Sequence, residues 1–194
     1  MISKDPTASE SYVALRNALI AIEGDVSAVR SILSSLSDAG ASWVAAAYFE
    51  LRRSLVQGRI TEAETVGSLI GMILDVQNQG LDDELAENRI HRESMGWVTD
   101  GIEAILAQDN RTGIKHLERL TEAVYSNDSL QWVAWYWLAK AASDEGDLER
   151  AAGAARASAE LAESLDSQAR GMSLCLRSEV ELLQGQTDEA LEHL

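Results

Sequence analysis

The chain has 194 residues, enough for one sizeable domain or one continuous repeat array. Hydrophobic residues make up 46%, aromatics only 5%, and the formal net charge is −16. The acidic excess runs along the whole chain with no basic stripe, which excludes duplex nucleic acid and anionic membrane surfaces as partners and favours protein or peptide.

Pro6 is the only proline, so nothing after it breaks a helix on proline's account. Runs of β-branched residues with period-two alternation are missing, and the pattern predicts an all-α protein. Cys175 is the only cysteine, so no intrachain disulfide forms. Lys4, Asp5 and Glu10 interrupt the N-terminus where a leader would need an apolar run. No stretch approaches the ~18 apolar residues of a membrane-spanning helix, and a cytoplasmic setting is expected.

In chain order, residues 1–8 read as a flexible start, with Ser9 the cap of a first helix. A first pair of helices follows at 9–22 and 26–37, broken at Gly24-Asp25. The second pair spans 41–56 and 60–77, broken at Gln57-Gly58-Arg59. An insertion then occupies Asn78–Ile90. The third pair, 87–107 and 111–125, breaks at Gln108-Asp109-Asn110. The fourth, 129–144 and 147–165, breaks at Glu145-Gly146, and the fifth, 167–184 and Thr187 onward, at Gly185-Gln186. Thr61 and Thr187 are expected to cap the second helices of their pairs.

These pairs repeat. Trp97 and Trp135 lie 38 residues apart, and Val29, Ala63, Gly113, Ala151 and Ala190 recur at the start of each second helix. A period of this length signals stacked helical hairpins, which bury their apolar faces only against one another. The small residue at the recurring place lets the paired helices approach closely. Trp97, Trp135 and Leu174 are expected in equivalent buried sites and Trp137 wedged against a neighbouring hairpin; Trp132 and Tyr136 are read either as surface groups or as core with the other two.

Trp135-x₂-Leu138-Ala139 with Gly146 and Ala151 resembles the tetratricopeptide repeat, a unit of ~34 residues. Trp97, Gly101, Gly113 and Leu117 match in part, as do Gly185, Ala190 and Leu194. The resemblance runs over 9–194 and is specific over 95–194. The terminal proline of the repeat is missing, and Ala155 stands where the second-helix aromatic belongs.

The resemblance implies a right-handed α-solenoid of about five antiparallel helical hairpins, a TPR-like superhelix whose first helices line a concave face. It places Tyr48 and Arg52, Val98 and Ile102, Tyr136 and Lys140, and Cys175 and Glu179 on that face. An aromatic followed four residues later by a cation suits a peptide carrying aliphatic side chains and a carboxylate, or else is a cation stem lying over the ring of its own helix. Met95 and Met172 are expected to add adaptable apolar contact. The array ends inside a helix without a polar cap, so continuation past 194 or self-association through that end is expected.

No catalytic, cofactor or metal constellation stands out. His91, His116 and His193 lie far apart among polar neighbours and read as solvated side chains. Gly67 and Gly71 lack the lysine of a phosphate loop and read as helix-packing positions. The expected role is a non-enzymatic interaction scaffold, the N-terminal module of a larger signalling or regulatory protein. The alternative is a regulatory domain that senses a ligand or peptide.

Overall fold

The computed structural model describes residues 40–77, 84–123 and 127–193. The first expected helix pair, with its Ser9 cap, and residues 78–83 of the expected insertion lie outside the described residues; its remainder belongs to a helix that starts at Glu84. The described chain is all-helical, with α1 (Gly40–Val56), α2 (Ile60–Gln77), α3 (Glu84–Leu106), α4 (Asn110–Thr121), α5 (Asp128–Asp144), α6 (Leu148–Leu165), α7 (Ser167–Leu183) and α8 (Thr187–Glu192).

Four turns join α1 to α2, α3 to α4, α5 to α6 and α7 to α8, and all four share one geometry. Gly58, Gln108, Gly146 and Gly185 adopt left-handed backbone, with φ of 68°, 65°, 78° and 79°. In each turn the next N–H reaches back to a carbonyl five residues earlier, at 2.9 Å: Arg59 to Ser54, Asp109 to Ala104, Asp147 to Ala142 and Gln186 to Glu181. This is the Schellman closure, which satisfies carbonyls that the helix end leaves free and reverses the chain within three residues. Glycine takes the left-handed place in three turns because it carries no Cβ; Gln108 takes it with strain.

Helix starts are fixed by side chains. Asp109 accepts from the Thr112 N–H and Asp147 from the Arg150 N–H, each at 3.2 Å. Asn127 accepts from Ser129 N–H at 2.9 Å and Asp166 from Ala169 N–H at 2.8 Å. The expected threonine cap on α8 is not seen: Thr187 is the first helical residue, and Gln186 before it makes no side-chain cap bond. Thr61 likewise lies within the first turn of α2 rather than ahead of it.

Each helix packs on the next where the contact is described, and small residues set the closest approaches. A Cβ placed on Gly113 would come within 2.5 Å of the Ile105 side chain and 2.8 Å of the Gly101 carbonyl oxygen. A Cβ on Gly101 would meet Leu117 at 2.9 Å. α3 and α4 therefore touch backbone to backbone. Gly67 on α2 makes similar room for Met95 on α3, whereas a Cβ on Gly71 would meet nothing within 4 Å.

One contact departs from simple succession. α5 packs against α3 and α7, the first helices of the neighbouring hairpins, and also against α1, two hairpins back. That crossing surrounds α5, and it rearranges the expected tryptophans. Trp132 is enclosed at 1% exposure, with its indole N–H donating to Ser173 Oγ at 2.8 Å. Ser173 Oγ lies 2.8 Å from Ser158 Oγ, so one buried chain of hydrogen bonds ties α5, α6 and α7 together. Trp137 is also enclosed and donates to the Leu55 carbonyl of α1 at 3.1 Å. Trp97, Trp135 and Leu174 are only half-buried. Among the residues whose side chains are described, the core tryptophans are Trp132 and Trp137, because α1 and α7 close over the parts of α5 that carry them.

Candidate functional site

The eight groove positions implied by the resemblance divide into two groups. Those on α1 and α3 are drawn inward. Arg52 is 7% exposed. Its guanidinium pairs with Asp166, donates to Ser129 Oγ at 3.4 Å, and lies 5.4 Å from the Phe49 ring centroid and 5.6 Å from that of Trp132. Burial lowers its pKa from the ordinary arginine value. Asp166 uses its second oxygen to cap α7, so a single carboxylate starts one wall of the molecule and holds α1 against it. Arg52 is thus a latch rather than a free donor.

Tyr48, half-buried, points at His91 on α3. The Gly67 carbonyl, 3.1 Å from Nε2, can only accept, so Nε2 carries the hydrogen and Nδ1 accepts from the Tyr48 hydroxyl at 3.2 Å. His91 is therefore enclosed, not solvated as its polar neighbours in sequence suggest, because α3 turns that face toward α1 and α2. Desolvation lowers its pKa, the Gly67 bond opposes this, and the Arg92 charge adds to it. Val98 and Ile102 have no exposure at all and belong to the core. Met95 does too, packed on Gly67.

The positions on α5 and α7 come together and stay open. Tyr136 and Lys140 on α5 face Gln168, Met172, Cys175 and Glu179 on α7 across a groove of about 400 Å³. Tyr136 stacks at a tilt on Trp132, centroids 5.6 Å apart, so the enclosed indole supports the groove wall from behind. Lys140 Nζ lies 5.3 Å from the Trp137 ring and 5.8 Å from the Tyr136 ring. Burial, with Glu179 and then Cys175, raises the Tyr136 pKa, so its hydroxyl stays protonated across the neutral range and can donate or accept. A small recess lined by apolar Phe49, Val56 and Met172 and by Arg52, Arg53 and Gln168 adjoins the groove through Gln168 and Met172. The groove thus offers an aromatic and thioether floor, one cation on one wall and one carboxylate on the other.

Sequence reasoning missed Ser167, Gln168, Gly171 and Leu176, which also line this groove. The signal was present: residues 168, 171, 172, 175 and 179 recur at one-turn spacing along α7. Nothing local marks the Arg52–Asp166 pair.

Among the described residues, no group of three His, Cys, Asp or Glu side chains could hold a metal ion, and no helix is long and apolar enough to cross a membrane. Comparison with known protein families, curated proteins and solved structures yields no match.

Proposed function

We propose that this chain is a non-enzymatic protein- or peptide-binding scaffold of TPR-like, superhelical construction, acting in the cytoplasm. The observation that supports it is the α5–α7 groove, where Tyr136, Met172, Lys140 and Glu179 form one open surface at successive first-helix positions. Such a surface takes an extended segment with an aliphatic side chain over Tyr136 and Met172 and a carboxylate at Lys140. The groove lies between helices held rigidly by the Trp132–Ser173–Ser158 chain, so its shape exists before a partner arrives.

Selection from a random peptide display library tests this reading. Peptides that combine an aliphatic residue with a nearby acidic one are expected to enrich, and Lys140→Ala with Tyr136→Phe to weaken them without loss of helicity. Enriched peptides indifferent to both substitutions would remove the groove as a binding site.

The second reading, a sensing regulatory domain, has one observation in its favour. Asp166 both starts α7 and holds Arg52 of α1, so an occupant that moves α7 also loads the latch. Hydrogen exchange separates the two: sensing requires α1 amides to change protection when a groove peptide binds, whereas a passive scaffold leaves them unchanged.

A further inference from the structure

The α5–α7 groove carries two charges of opposite sign, and a segment that answers only one of them meets the other as an obstacle. Lys140 on α5 and Glu179 on α7 both line the groove, and both are exposed. Neither is ion-paired with another described residue. Lys140 Nζ lies 5.3 Å from the Trp137 ring centroid and 5.8 Å from that of Tyr136, so two aromatic faces set its place rather than a carboxylate. The Glu179 charge is felt across the floor: burial first, and then Glu179, hold the Tyr136 hydroxyl above the ordinary tyrosine range.

That reach has a consequence for the partner. Lys140 stands one helical turn from Tyr136 on the same wall, so a carboxylate brought to Lys140 enters the field of Glu179 as well. The chain as a whole carries −16 and opposes a purely acidic segment from further away. A lysine or arginine in the same segment reverses both effects. On Glu179 it makes an ion pair where a like charge stood, and it cancels the net charge that the protein repels. Successive side chains of an extended chain point to opposite sides, so neighbouring residues of one segment reach the two walls.

We propose that the partner of this groove is a dipolar segment, with a basic residue on Glu179 beside the acidic residue on Lys140 and the aliphatic one over Tyr136 and Met172. The inference rests on the α5–α7 groove being a binding site, and it narrows what that site accepts. Exposed ion pairs add little affinity, so the cation acts through choice of partner: it separates dipolar segments from purely acidic ones.

Random peptide display, run in parallel on the intact native chain, Glu179→Gln and Glu179→Lys, tests the assignment. On the native chain the enriched peptides should carry a lysine or arginine within about two positions of the acidic residue. On Glu179→Gln the basic residue should drop out while the aliphatic and acidic ones remain. On Glu179→Lys a second acidic residue should replace it. In fluorescence anisotropy, exchanging the basic residue of an enriched peptide for glutamine should weaken binding to the native chain about threefold and leave binding to Glu179→Gln unchanged. Native enrichment of aliphatic and acidic residues without a basic one would overturn the dipolar assignment and leave the groove standing. Basic residues that enrich equally on Glu179→Gln would report only the net charge of the chain and overturn it too. Enrichment of neither pattern would remove the groove and the assignment together.

Discussion

Two stretches of first-helix surface, expected to be equivalent, have different fates. On α1 and α3 the positions hold Tyr48, half-buried, and Arg52, Val98 and Ile102, enclosed; on α5 and α7 they hold Tyr136, Lys140, Cys175 and Glu179, which line an open groove. The difference comes from α1, which the Trp137–Leu55 hydrogen bond fastens to α5 and the Arg52–Asp166 pair to the start of α7. Repeat register tells which side chains point the same way. Whether that direction meets solvent depends on whether another helix closes over it.

The largest test of this contrast is Trp132→Ala against Trp135→Ala. Emptying the enclosed Trp132 site should cost about 3–5 kcal/mol in urea denaturation, the range for a large core side chain. Trp135, half-buried, should cost clearly less. The reverse order would show that α5 is surrounded differently.

Arg52→Ala should cost about 2–3 kcal/mol, because it removes the partner of the partly buried Asp166 and frees α1 from the start of α7. Lys140→Ala, on the open side, should change stability by less than about 0.5 kcal/mol. Similar losses at both positions would erase the distinction between latch and groove.

A pH measurement sharpens the sealed side. His91 sits neutral in the fold with its pKa held below the ordinary 6.5. As pH falls through that value the unfolded imidazole takes a proton that the folded one resists. Stability should therefore decline below pH 6.5 until the folded pKa is passed, and be unaffected by this group above it. His91→Gln should flatten the slope between pH 7 and 5, checked by paired denaturation curves.

The smallest effect lies in a turn. Gln108 occupies the left-handed place that glycine fills in the other three turns, so Gln108→Gly should stabilise by about 0.5–1 kcal/mol. A loss instead would mean that the Gln108 side chain makes a contact worth more than the strain.

What was legible in the sequence was local. Gly58, Gly146 and Gly185 mark their turns, and the four described reversals fall at the expected breaks, while the Asp109 and Asp147 caps were not read from the sequence. The groove positions on α5 and α7 followed from repeat register, as did the close approach at Gly113. The closure of the other half did not. Arg52 and Asp166 are 114 residues apart, and neither carries a local sign of the other. A helical wheel places Trp132 and Trp135 on faces of α5, but it cannot count the helices that will pack there; α5 meets α1 as well as its neighbours, and Trp132 goes inside. His91 misled for the same reason, since Arg92 and Glu93 beside it in sequence point away from the face that carries it inward.

Thiol accessibility tests the division most directly. Cys175 is exposed in the groove and is the only cysteine, so the native chain has one reporter on the open side. A second reporter on the sealed side is Val98→Cys in a Cys175→Ser background. Under native conditions a maleimide should modify Cys175 nearly as fast as a free thiol at the same pH, and the residue at 98 only at the rate of unfolding. Comparable labelling of both positions in the folded protein would contradict the account.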